Sequence, residues 1–235
     1  MANLADLVKL NMWEPLHNLI TSSTSSNDIK TQALWTAGTA VQNNPAAQTA
    51  YLTLSPLPAL LSLLSPSPTS SPKLRAKALY ALSSLTKHNQ PALRLFEDAG
   101  GWDILRGALQ DSDVTVRRKA AFLLNALLMP SAHEVPQVNP PNPRAAASAA
   151  DRSVVLHPTE SGQDSGQAES GPVHPNSHAS MEFDPSSFST SSLTLAALRE
   201  RGLLQAVLDA LVAPLPHGLD GETLGDAELE ERLVQ

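Results

Sequence analysis

The stretch Ala33–Gln48 reads ALWTAGTAVQNNPAAQ, a helix-forming run of small and apolar residues closed by two asparagines and a proline. The same outline returns as ALYALSSLTKHNQPAL from Ala78, with Trp35 laid on Tyr80 at an offset of 45 residues. A short apolar segment precedes each copy, and a third such segment follows: WEPLHNLI from Trp13, PLPALLSLL from Pro56 and WDILRGAL from Trp102. In these, Leu16/Leu19/Ile20, Leu60/Leu63/Leu64 and Leu105/Ala108/Leu109 recur at i, i+3, i+4, which is one face of a helix.

Between each short segment and the next long one lies helix-start chemistry: TSSTSSND before Ile29, SPSPTSSPK before Leu74 and QDSD before Val114. Pro72 suits a first helical turn, where its missing N–H leaves no bond unmade. The long helices IKTQALWTAGTAVQNN, KLRAKALYALSSLTKHN and VTVRRKAAFLLNALLM end at Pro45, Pro91 and Pro130 with small shifts, and PAAQTAYL and PALRLFEDAGG supply a third helix per repeat. Gly100 and Gly101 read as a helix stop. A period near 40–47 residues built from three helices is the mark of an armadillo stack, in which each repeat buries its apolar face only against its neighbours. The fold class expected is all-α, a right-handed armadillo solenoid of about four repeats. Repeats one to three occupy 1–130. Residues 131–192, with NPPNP, SGQDSGQAESGP and HPNSHAS, are too poor in apolar side chains to offset ordering entropy and read as a disordered insertion. The fourth repeat and an acidic final helix, AELEERLVQ, take 193–235.

Composition narrows the function. Zero cysteines exclude a disulfide framework and thiolate chemistry and fit a reducing, cytoplasmic setting. No run approaches a membrane span, and the N-terminus lacks a secretory pattern, so no membrane partner is expected. The net charge of −7 divides unevenly: residues 1–130 carry 11 Lys/Arg against 8 Asp/Glu, and 131–235 carry 5 against 15. An acidic chain argues against nucleic acid as a partner, because phosphate neutralisation needs a broad basic surface.

The candidate site follows from the repeats. Long third helices line the concave side of an armadillo stack, so Asn43 and Asn44 stand level with His88 and Asn89, and Asn125 lies one turn earlier in the third copy. Arg117, Arg118 and Lys119 open that third helix. Two plainer readings stand beside this one: Asn43 and Asn44 as C-terminal caps, where Asn tolerates the left-handed conformation, and the basic triplet as a solvated helix start. Cations at a helix N-terminus are mildly unfavourable, which tilts the triplet toward function. Trp13, Trp35 and Tyr80, regularly spaced, are expected in the core.

LNMWEPLHNLI, ALWTAGTAVQNNPAAQ, KALYALSSLTKHNQPA and VRRKAAFLLNALL resemble the armadillo-type nucleotide-exchange factors of the cytosolic 70-kDa heat-shock chaperone, especially the fungal branch, and PLPHGLDGETLGDAELEERL resembles that branch's tail. The resemblance spans roughly 2–130 and 193–235, and TAVQNNP is its most specific piece. It implies a monomeric adaptor without cofactor or enzymatic chemistry. Its concave face would grip one lobe of the chaperone's ATPase domain and displace the other, so that ADP leaves. Asn43, Asn44, His88, Asn89, Arg118, Lys119 and Asn125 would carry the contacts, with Lys119 foremost because the family tends to keep a basic residue there. The chain departs from the family in starting almost at the first repeat, without the N-terminal segment that contributes to client release, and in the 131–192 insertion. The rival reading is a peptide-binding armadillo adaptor of importin or catenin type, which expects Trp and Asn one turn apart on successive third helices.

Other motifs carry less. GQDSG at Gly162–Gly166 is not a G-x-S-x-G elbow. His174 and His178 have metal-ligand spacing only on a helix, which Pro172 and Pro175 oppose. DGETLGDAELEE lacks the alternation of a calcium loop and reads as a solvated acidic helix. Ser165 and Ser170 in DSGQAES are candidate modification sites. No glycine-rich phosphate loop occurs.

Overall fold

The computed structural model describes residues 6–67, 70–129, 189–212 and 226–234, which form helices joined by turns and short loops. Twelve helices fall into four groups of three among the described residues: α1 Asp6–Lys9, α2 Trp13–Thr21 and α3 Asn27–Val41; α4 Pro45–Leu52, α5 Leu57–Ser62 and α6 Pro72–Thr86; α7 Gln90–Asp98, α8 Gly101–Leu109 and α9 Val114–Leu128; α10 Ser191–Glu200, α11 Leu203–Val212 and α12 Ala227–Val234. The third helices pack in series, α3 on α6, α6 on α9 and α9 on α12, while the second helices back them as α2 on α3, α5 on α6 and α8 on α9. Residues 131–188 of the expected insertion, with GQDSG, Ser165, Ser170, His174 and His178, lie outside the described residues. Ser189 and Thr190 are already buried, with the Thr190 hydroxyl donating to the Leu127 carbonyl at 2.9 Å, so the fourth repeat begins a few residues before 193.

The punctuation read from the sequence acts as caps. Ser26 Oγ accepts from Ile29 N at 3.3 Å, Ser71 Oγ from Leu74 N at 3.2 Å, and Asp113 Oδ1 from Thr115 N at 2.8 Å. NNP and HNQP are compound joints. Asn43 and His88 take left-handed backbones, with φ 51° and 52°, which end α3 and α6. Asn44 and Asn89 then cap the next helices, accepting from Ala47 N at 3.1 Å and Ala92 N at 3.0 Å. Pro45 and Pro91 stand where a helix has no N–H to lose. Two asparagines and a proline therefore turn one repeat into the next.

A continuous apolar core runs through the repeats, including Ile20, Leu34, Leu60, Leu82, Leu93, Leu105, Leu127 and Leu203. Trp13 stacks on Tyr51 at 4.8 Å, and Phe96 meets Trp102 edge-on at 5.1 Å. Burial raises the Tyr51 phenol far above its ordinary value. At Gly38 a Cβ would lie 2.7 Å from the Tyr80 ring and 3.1 Å from the Ala81 Cα, so the missing side chain sets the approach of α3 to α6. Polar staples act within and between repeats as well. Gln48 Nε2 donates to the Ser84 carbonyl at 2.9 Å and Gln48 Oε1 accepts from Asn89 Nδ2 at 3.0 Å. Buried Arg75 pairs bidentately with buried Asp111 at 2.7 and 2.8 Å, linking the second repeat to the third.

Two packing expectations are corrected. Trp13 is in the core, but Trp35 is 51% exposed and Tyr80 half-buried. Regular spacing showed that these positions are equivalent, not that they are inside. Helix α3 buries Thr31, Leu34, Gly38 and Val41 on one flank and Ala33, Ala37 and Ala40 on another, leaving Trp35 outward. In α2, Leu16 and Ile20 are buried while Leu19 is exposed.

Candidate functional site

The three long helices have the same length, so their residues correspond: Gln32, Lys77 and Lys119 form one row, and Trp35, Tyr80 and Phe122 the next. Both rows run along the open side of the third-helix layer. Trp35 and Phe122 are 51% and 42% exposed, and Tyr80 lies between them. The Lys77 ammonium sits 4.9 Å from the Trp35 ring centre and 5.3 Å from that of Tyr80, while the Arg232 guanidinium stands 5.2 Å from Phe122. The Tyr80 hydroxyl lies 3.2 Å from Thr39 Oγ1 and 3.3 Å from Gln42 Oε1. The face is therefore aromatic along its length, with cations between the rings.

Two grooves cross it. One, about 540 Å³, lies between α6 and α9 and is lined by Lys73, Lys77, Tyr80, Asp113, Thr115 and Lys119. The other, about 520 Å³, is lined by Lys87, Phe122, Asn125, Met129 and Arg232. Among the described residues no group of three or more His, Cys, Asp or Glu is placed to hold a metal ion, and no helix is long and apolar enough to cross a membrane.

The basic triplet has three fates. Arg117 is 2% exposed, with Nη1 donating to the Asp111 carbonyl at 2.7 Å; burial draws its pKa below the ordinary value, against the nearby carboxylates of Asp226 and Asp111. Arg118 turns toward α12, where Nε donates to Asp226 Oδ1 at 2.8 Å and Nη1 stands 2.9 Å from Glu228 Oε2; the hydrogen bond to Asp226 raises its pKa. Asp226 also caps α12, accepting from Leu229 N at 2.8 Å. The Arg232 hydrogen bond to Glu228 lowers that carboxyl's pKa and completes the seam. Lys119 is exposed and lines the first groove.

The expected site residues are thus distributed. Lys119 and Asn125 share the open face of α9. Asn43, Asn44, His88 and Asn89 sit in the joints after α3 and α6, at one end of that face, where Asn44 and Asn89 act as caps. Arg118 holds the fourth repeat. Trp35, Lys73, Lys77, Tyr80, Lys87, Phe122 and Arg232 were not among the expected site residues. Laying the third repeat on the second pairs Lys119 with Lys77 and Phe122 with Tyr80, which was the available signal.

Stacked three-helix repeats presenting a cationic, aromatic face on their third helices define an armadillo-type solenoid. Two solved structures share this fold: an engineered protein (TM-score 0.59, 15% identity, 98% of this chain and 38% of that one) and a designed armadillo repeat protein in complex with the peptide (KR)4 (TM-score 0.50, 14% identity, 98% and 82%). The chain belongs to the SIL1/FES1/HPBP1 C-terminal domain family, whose model matches residues 3–152. Its relatives include the Hsp70 nucleotide exchange factor FES1 of Mycosarcoma maydis, 45% identical over 127 residues (54% of this chain, 31% of the relative). The FES1 of Cryptococcus neoformans is 36% identical over 137 residues (55% and 36%). The matched part of this chain spans about a third of the length of these two relatives.

Proposed function

We propose that this protein is a nucleotide-exchange factor for a cytosolic 70-kDa heat-shock chaperone, acting as a monomer on the chaperone's ATPase domain. The observation that carries this reading is where the family match falls: residues 3–152 contain α3, α6 and α9, the helices whose open side forms the aromatic, cationic face. Lys119 and Asn125 make contacts from the middle of that face and Asn43 and His88 from its end. Asn44, Asn89 and Arg118 support the contacts by fixing the helices beside them. The mechanism is population shift: the face binds the open ATPase domain better than the nucleotide-closed one, and ADP therefore leaves faster. Linkage makes this reciprocal, so bound nucleotide weakens the factor by the same ratio; a tenfold ratio is about 1.4 kcal/mol. The importin-like alternative lacks its repeated asparagine ladder, because of the positions one turn after Trp35, Tyr80 and Phe122 only the third is an asparagine: Gly38, Ser83 and Asn125.

Stopped-flow release of a fluorescent ADP analogue from the chaperone tests the reading. A release rate that climbs with the concentration of this protein is expected. An unchanged rate, from protein with a folded helical spectrum, would overturn it.

A further inference from the structure

We infer that the groove between α6 and α9 is a receptor for a carboxylate-bearing segment of the partner protein, with Lys77 and Lys119 as the reading residues, Tyr80 as the apolar wall, and Trp35 of α3 on the far side of Lys77 at the groove's border. This deepens, and rests on, the reading of the third-helix face as the docking face. Three observations converge on it. First, the chain is acidic as a whole, at −7, yet three of the groove's lining residues are lysines and one is an acid. The acid, Asp113, already accepts the Thr115 and Val116 backbone N–H groups at 2.8 and 3.2 Å. Secondly, among the described residues Lys73, Lys77 and Lys119 form no ion pair, whereas Arg75 and Arg118 on the same two helices do. Thirdly, Lys77 is pre-positioned over two rings, at 4.9 and 5.3 Å, so an arriving carboxylate meets an ammonium that has already lost much of its freedom. An indole 51% exposed beside that charge has the composition of an interface anchor, because a partner covering it removes apolar area and strengthens the neighbouring charge pair.

The indole also supplies the assay. The chain has three tryptophans; Trp13 and Trp102 are 6% and 2% exposed, so acrylamide quenching reports chiefly on Trp35. The whole chain is titrated at low salt with end-blocked hexaglutamate, and in parallel with hexalysine and with a hexauridylate RNA. A saturable fall in quenching is expected with hexaglutamate alone. It should weaken at least about tenfold in Lys77→Glu and in Lys119→Glu, and stay within about twofold in Arg94→Glu, which makes the same charge change at an exposed position of α7. It should also fade as salt shortens the Debye length from about 10 Å at 0.1 M to about 3 Å at 1 M. No saturable response, a response surviving both lysine reversals, or an equal response to the RNA would overturn the inference. Exchange assays on the same samples keep the two readings apart. Exchange without a hexaglutamate response removes this inference alone, and a response without exchange removes the chaperone reading alone.

Discussion

Helices α6 and α9 carry two sets of cations with opposite assignments. Arg75, Arg117 and Arg118 face protein: three backbone carbonyls and a buried carboxylate for the first two, and two carboxylates at the α12 seam for the third. Lys73, Lys77 and Lys119 face solvent along the groove. The division follows the chemistry of the side chains. A planar guanidinium presents several fixed donors and satisfies them against neighbouring oxygens, which suits interior and seam; an ammonium on a flexible stem suits a surface that waits for its counter-charge. Arg118 and Lys119 are neighbours in sequence, but roughly 100° apart around a helix, and that rotation separates the residue holding the fourth repeat from the one on the open face.

Breaking the interior set has the largest expected effect. Asp111→Ala leaves the Arg75 guanidinium buried without its carboxylate, and a loss of about 3–5 kcal/mol is expected in urea unfolding followed by circular dichroism. Loss of less than about 1 kcal/mol would mean that water reaches Arg75 and the pair staples nothing. At the seam, Arg118→Ala takes the cation from the 6%-exposed Asp226 side chain and leaves it the Leu229 N–H, for a loss of about 1–3 kcal/mol, seen as faster hydrogen exchange confined to α12. Uniform acceleration across α3, α6 and α9 would show that the fourth repeat is not a separable unit. On the open set, the proposed function predicts that Lys119→Glu leaves the melting temperature in place and lowers affinity for a 70-kDa heat-shock chaperone's ATPase domain about tenfold, or about 1.4 kcal/mol, by calorimetric titration. Equal affinity with an unaltered helical spectrum would remove Lys119 from the face.

The smallest effect concerns His17, whose Nδ1 lies 3.4 Å from the Tyr51 hydroxyl. Partial burial holds its pKa below the ordinary 6.5, so the unfolded chain takes up the proton first as pH falls. This contribution to stability is whole above 6.5 and drains away as the pH falls through the lowered folded value. A shallow fall in melting temperature between pH 7 and 5, flatter in His17→Gln, is expected.

Much of this was legible in the chain. The returning NNP and HNQP joints, the Ser and Asp starts and the leucine triplets located the helices, because caps and turns are local chemistry acting within a few residues. Burial was less legible. Trp35 and Tyr80 looked like core because they recur, yet recurrence reports equivalence between repeats, and only contact with neighbouring helices decides which flank is covered. The asparagines that looked like a binding ladder proved to be turn chemistry in part, since a side chain long enough to reach a partner is also long enough to reach the N–H three residues on.

The sequence alone determined the repeat, its helix boundaries, its armadillo class and the family resemblance, all of which rest on short-range pattern. Tertiary structure alone decided that Arg75 would meet Asp111, that Arg118 would reach across more than a hundred residues to Asp226, and that Lys77 would lie over Trp35 from the previous repeat. Those pairings depend on how stacked helices are rotated against one another. That rotation is set by packing at positions such as Gly38 and Leu82 and not by the residues it brings together.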